Sequence, residues 1–228
     1  MSTVSFADSF LDNITLSEAS IQAVVSTLTM ERMTINNLRN PIKTDFILVF
    51  LESTLIITTL NYTNSDSILF RVRTSSVVIS GIEFNNIINA VELGEIASSY
   101  NVSLSAITST NTQITGPFLF LISSSVNISM TDIHILNSKT IVMKIDSSVF
   151  DIIDRLEVKN CSEGIVIKSS EVKEFRNSTF DQNGGGAIFY GGALKIRNSN
   201  ITFINTSFTQ NTAQSGGAIY FTCSSIPN

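Results

Sequence analysis
The sequence predicts an all-β fold: a right-handed parallel β-helix solenoid of about nine turns, each of roughly 23 residues and three short strands. Two observations carry that expectation. One phrase occurs twice between Asn177 and Phe221. Phe180-Asp181-Gln182-Asn183 precedes Gly185-Gly186-Ala187-Ile188, and Phe208-Thr209-Gln210-Asn211 precedes Gly216-Gly217-Ala218-Ile219. A third Gly-Gly-Ala stands between them at 191–193. In addition, asparagines and serine pairs keep a similar period through the rest of the chain. A phrase repeated at the spacing of one supersecondary unit is the mark of a solenoid.

Taken in order, each copy reads as a short alternation, an Asn, a few small polar residues and an apolar strand. Asn13 precedes Ile21 and Val24-Val25, Asn40 precedes Phe46–Val49, and Asn64 precedes Ile68–Phe70. Asn86 stands between Ile82–Phe84 and Val91–Leu93, and Asn111 precedes Phe118–Ile122. Asn137 stands between Ile133–Ile135 and Ile141–Met143, and Asn160 between Leu156–Lys159 and Gly164–Ile167. The serine marker falls at Ser75-Ser76, Ser98-Ser99, Ser124-Ser125, Ser147-Ser148 and Ser169-Ser170.

Other repeats of this length fit less well. Leucine-rich repeats need a strict leucine frame, whereas Ile and Val outnumber Leu inside these runs. Helical repeats need stripes of period 3.6, whereas apolar residues here alternate briefly and stop. In a parallel β-helix each strand pairs with its equivalent one turn on, and inward side chains stack like on like. The recurrent Asn then belongs at a bend, where it tolerates a left-handed backbone. Stacked amides can bond along the axis as a ladder. The Gly-Gly pairs read as tight corners. The segment Ser17–Met30 is ambiguous between a short capping helix and strand.

Charged residues are only 14% and the net charge is −5, with no Lys/Arg run, so a nucleic-acid partner is not expected. Cys161 and Cys223 have neither zinc-ligand spacing nor a framework to join, and are expected to be unpaired thiols. The N-terminus lacks the pattern of a signal peptide, and Phe46–Leu60 is too short and too polar to span a bilayer. The expectation is a single β-helix domain over 1–228, cut from a longer solenoid.

Phe180 with Asn183, Gly185–Ile188, Gly191–Leu194, Phe208 with Asn211, and Gly216–Ile219 resemble the repeat pair of polymorphic outer membrane proteins, the autotransporter adhesins of chlamydiae. Similar repeats occur in large surface proteins of protists. The resemblance covers residues 180–219. Residues 1–176 support only a generic β-helix of the pectin-lyase-like superfamily. What the resemblance implies is a surface-exposed β-helix making adhesive or structural contacts.

Because pectin-lyase-like folds include polysaccharide lyases and hydrolases, carboxylates are the first place to look for chemistry. The best stacked set is Asp132 with Asp154 and Arg155, about one turn apart, with Asp151, Glu171 and Glu174 as further candidates. Glu92/Glu95 and Asp8/Asp12 show no basic partner in the linear sequence. His134, the single histidine, lies between Ile133 and Ile135 and is expected to face outward. The Asn-Thr-Asp, Asp-Asp, Gly-His-Gly and Arg-x-Lys motifs of the superfamily's hydrolases are absent. No catalytic, cofactor or metal site is assigned.

A sugar-binding surface would need exposed aromatics, for which Tyr62, Tyr100, Tyr190 and Tyr220 are the candidates. Eight sequons occur, at Asn13, Asn61, Asn101, Asn127, Asn160, Asn177, Asn200 and Asn205, some of them in positions where a buried ladder is expected. The functional expectation is a non-catalytic segment of a secreted or cell-surface protein, part of a larger membrane-anchored chain, whose partner is a surface molecule or glycan. The alternative is a degenerate polysaccharide-active or carbohydrate-binding β-helix.

Overall fold
The computed structural model describes residues 2–12, 21–24, 26–37, 46–66, 68–88, 90, 92–184 and 190–223. Asn13, Asn40, residues 17–20 and residues 185–188, which entered the repeat expectation, lie outside them. Every named strand pairs in parallel, and the chain alternates between two sheets. The first sheet stacks Ser2–Ala7, Ser26–Asn36, Thr54–Thr63, Ser76–Asn85, Tyr100–Thr110, Val126–Leu136, Val149–Lys159, Glu171–Arg176 and Asn200–Ile204. The second stacks Ile21–Val24, Phe46–Leu51, Ile68–Arg73, Gly94–Ala97, Phe118–Ser123, Ile141–Asp146, Glu163–Lys168, Leu194–Arg197 and Ile219–Thr222. Each strand inside a stack bonds to its equivalent one turn earlier and one turn later, which is the parallel β-helix. The helix alternative for Ser17–Met30 fails over the described part, because Ile21–Val24 and Ser26–Asn36 are strands.

Three strand pieces per turn are present, but two of them run on without a break. The long strands of the first sheet are creased at one left-handed residue: Arg32, Thr59, Gly81, Ala106, Asp132 or Arg155. In the last two turns Asn177 and Asn205 hold the same crease, and the strand divides there into Glu171–Arg176 and Thr179–Asp181, then Asn200–Ile204 and Ser207–Thr209. A single left-handed residue turns the chain while the ladder on either side keeps its register.

Two more columns of left-handed residues make the other corners. Asn64, Asn86, Asn111, Asn137 and Asn160 form one, continued by Gln182 and Gln210. Their amides bond along the axis: Asn86 Nδ2 donates to Asn64 Oδ1 (2.7 Å), Asn160 to Asn137 (2.7 Å), and Gln182 Nε2 to Gln210 Oε1 (2.8 Å). This is the expected asparagine ladder, on the exposed rim. Asn183 and Asn211 are not in it. They sit one residue further on, in the inward column that includes Ser65, Ser138 and Cys161, and Asn183 is fully buried. The sequence marker had merged two columns, because glutamine replaces asparagine at the rim in those turns.

The third corner carries a serine ladder. Ser53, Ser75, Ser99, Ser125, Ser148, Ser170 and Ser199 each donate Oγ–H to the carbonyl two residues back. Each Oγ also accepts the backbone N–H of its counterpart one turn earlier, as Ser125 Oγ does from Ser99 at 3.0 Å. Interior N–H groups that face a corner rather than a strand therefore find acceptors. Ser125→Ala is expected to destabilise by about 1–3 kcal/mol, since the Ser99 N–H loses its buried acceptor. Ser103→Ala, on the outward face, should change stability by less than about 0.5 kcal/mol. Urea midpoints of the two variants check this, and equal midpoints would remove the ladder's role.

The core lies between the sheets, and inward residues stack by kind. Leu28, Leu55, Val77, Val102 and Ile128 form one column, and Ile122, Ile145, Ile167 and Ile196 another. Aromatic rings form two clusters: Tyr62 meets Phe84 and Phe84 meets Phe120 edge to face, and Phe180 stacks on Phe208. β-branched and aromatic side chains suit such pleated columns. Outward residues of the first sheet from Ser26–Asn36 to Tyr100–Thr110 are mostly Ser, Thr and Asn, and charges gather on the later strands and on the second sheet.

Candidate functional site
The creased corner of the first sheet brings Asp132, Asp154 and Arg155 together, as their spacing suggests. Asp132 and Arg155 are stacked left-handed residues. Arg155 grips Asp132 through Nε and through Nη2 (2.8 Å), and reaches Asp154 through Nη1 at 2.6 Å. Asp154 is nearly buried and also accepts Asn177 Nδ2 at 2.9 Å. The Arg176 Nε lies 3.5 Å from the same carboxylate.

One guanidinium thus closes both carboxylates. Its hydrogen bond holds Asp132 below the usual carboxylate range, and the paired acids hold Arg155 above its own. A general acid must keep its proton near neutral pH, and a general base must reach a substrate. Asp132 does not do the first, and Asp154, held from several sides, does not do the second.

Asp151 and Glu171 do not join that set, and Glu174 reaches it only through Arg176. Asp151 sits at a bulge and pairs with Lys173 Nζ at 2.6 Å. Glu174 pairs with Arg176 at 3.1 Å, and Glu171 is exposed. His134 points outward between buried Ile133 and Ile135 and meets Glu157 at 2.9 Å. Cys161 is buried, Cys223 is exposed, and both are free. Burial pushes the Cys161 thiol up to about 11, which keeps it unreactive. Among the described residues no three His, Cys, Asp or Glu side chains gather as metal ligands would.

Two acidic groups that looked partnerless have basic partners one turn away. Asp8 is gripped by Arg32 at 2.6 and 2.8 Å. Glu95 receives Arg71 Nε at 2.8 Å and Arg73 Nη2 at 2.9 Å. Sequence separations of 24 and 22 residues hid these pairs. Writing the chain out in its turn period, in register, would have shown them. The side chain of Asp12 lies outside the description.

Glu92 lies beside that cluster and is only 9% exposed. Burial, helped by the charge of Glu95 and opposed by Arg71, pushes its carboxyl up to about 7. A carboxyl raised in the folded state favours folding fully below its unfolded value near 4.5, and that advantage is lost as pH rises through about 7. The full displacement would be worth about 3 kcal/mol, and screening by solvent brings it to about 1–2 kcal/mol. Glu92→Gln is therefore expected to stabilise the chain by about 1–2 kcal/mol at pH 8 and hardly at all at pH 4.5. Thermal melting at both pH values checks this, and a gain independent of pH would contradict it.

Of the tyrosines, Tyr62 is buried in the core, Tyr100 is exposed on the first sheet, and the rings of Tyr190 and Tyr220 lie 4.4 Å apart. The seven described sequon asparagines are all exposed, so none is a buried ladder residue. Four of them, Asn127, Asn160, Asn177 and Asn205, donate their amides to a neighbour one turn earlier.

No protein-family model and no curated protein sequence matches the chain. Among solved structures, it aligns with HetL, a pentapeptide repeat protein involved in heterocyst differentiation regulation in the cyanobacterium Nostoc. That alignment covers 94% of this chain and 93% of that one, at 10% identity and a TM-score of 0.19. It also aligns with a mannuronic acid specific family 6 polysaccharide lyase from human gut microbiota, over 99% of this chain and 92% of that one, at 8% identity and a TM-score of 0.15. With scores this low, the fold assignment rests on the strand pairing itself.

Proposed function
We propose that the chain is a non-catalytic β-helix segment of a secreted or cell-surface protein, part of a larger membrane-anchored chain, that makes structural or adhesive contacts. The observation that carries this reading is the closure of Asp132 and Asp154 by Arg155. The carboxylates that converge from adjacent turns are neutralised where an enzyme would keep one free. The likeness of residues 180–219 to the repeats of polymorphic outer membrane proteins supports the surface assignment. A long rod with sparse charge and a first sheet coated over its earlier turns with Ser, Thr and Asn suits repeated weak contacts. The net charge of −5 speaks against a nucleic-acid partner.

Incubating the protein with neutral and acidic polysaccharides is expected to release no new reducing ends. Cleavage by the wild type that disappears in Asp132→Asn or Asp154→Ala would overturn the non-catalytic reading. Protease treatment of intact source cells should remove the segment, and full protection would overturn the surface placement.

A further inference from the structure
On the outward face of the second sheet cations outnumber carboxylates. Register places Val49, Arg71, Glu95, Leu121, Lys144, Val166, Lys195 and Tyr220 on one line along the coil axis. Beside it run Leu51, Arg73, Ala97, Ser123, Asp146, Lys168, Arg197 and Thr222. Six cations stand there, in a chain of 14 Lys and Arg and net charge −5. Only two carboxylates share the lines, with Glu92 and Glu163 at their margin.

Each of those two carboxylates is divided between two cations. Glu95 takes Arg71 and Arg73, and Asp146 takes Lys144 at 3.7 Å and Lys168 at 3.6 Å. Counting only residues on the two lines, one positive charge is left over at each site. Arg197 makes no ion pair among the described residues. Lys195 lies 5.1 Å from the ring of Tyr190, which is 41% exposed and packs against Tyr220.

We propose that this face binds a linear polyanionic glycan, lying along the coil axis across the strands. It rests on the contact-making reading above and names the class of partner. Strands repeat at about 4.8 Å, so Arg71 to Lys195 spans roughly 24 Å, the reach of several sugar rings. The acidic groups of the glycan sit on the surplus charge of Arg73, Lys144, Lys168 and Arg197. Its sugar faces lie against the Tyr190–Tyr220 pair at one end. A line of charge running along the coil axis suits a stiff linear polymer. Duplex nucleic acid carries a charge every 1.7 Å or so and would need a far denser and more basic surface than this one.

The test measures binding of the whole chain to heparin, polygalacturonate and neutral dextran at low and raised salt. Binding to at least one acidic polymer, weakened by salt, and none to dextran is expected. Polygalacturonate carries carboxylates alone, whereas heparin carries sulfates as well, so binding to heparin only assigns recognition to sulfate and binding to both assigns it to carboxylate-sized anions in general. The variant Lys144→Gln/Lys168→Gln/Arg197→Gln should weaken binding at least tenfold, and Ser123→Glu, which puts a negative charge on the strip, should do the same. Lys159→Gln/Lys173→Gln, on the first sheet, should stay within twofold of wild type. No binding to either acidic polymer, or equal loss in the control, overturns the proposal. Absence of wild-type binding to both acidic polymers, with surface exposure intact, counts against the strip alone, whereas shortening of the polymer counts against the non-catalytic reading.

Discussion
Phe180→Ala is expected to destabilise the chain by about 3–5 kcal/mol, the cost of removing a large buried ring whose space the neighbours do not refill. Phe180 is fully buried in the first sheet's inner column. Its ring lies 5.2 Å from Phe208 and nearly parallel to it, and 5.9 Å from Phe175. Backbone pairing fixes the turns above and below at one spacing, so the gap does not close by collapse. Chemical denaturation gives the loss. A value under about 1 kcal/mol would mean that the last turns are not packed as described.

Asn183→Leu is the second large effect, at about 2–4 kcal/mol. Its Oδ1 accepts the Cys161 N–H at 3.0 Å, and its Nδ2 donates to the Val158 carbonyl at 2.8 Å and to Asn211 Oδ1 at 3.0 Å. Leucine has similar bulk and no polar atom, so the Cys161 N–H is stranded in the interior. Faster hydrogen exchange at the Cys161 amide should accompany the lower denaturation midpoint. An unchanged exchange rate would show that this N–H does not depend on the side chain.

These two residues are the Phe and Asn of the repeated phrase, which explains why that phrase was the clearest signal in the sequence. Phe fills the core column and Asn satisfies the inner corner, so both choices are narrow. The period was legible for the same reason, through serines that serve one corner and asparagines that line another. The creases were not. Arg32, Thr59, Ala106, Asp132 and Arg155 take a left-handed backbone with neither Gly nor Asn to announce it. There the backbone is held by the strands on either side and, at Asp8–Arg32 and Asp132–Arg155, by ion pairs between turns. The candidate carboxylates were found, but their neutralisation was not. Partners lie one turn apart, and turns vary in length by several residues, so the facing residue is fixed only once the register is known.

The serine ladder joins residues 22 to 29 positions apart all along the coil. That separation does not grow with the number of turns. Each turn therefore closes a loop of the same modest length onto a template already formed, and the entropy of closure changes little from turn to turn. Long-range strand pairing normally slows folding, because the entropy of loop closure is lost before non-local contacts form. Here only the first contact between two turns bears that cost. Tension applied along the axis meets the reverse of this process. Turns peel from an end one at a time, each releasing roughly 23 residues, or about 80 Å of contour, and the rod lengthens in steps rather than failing at once.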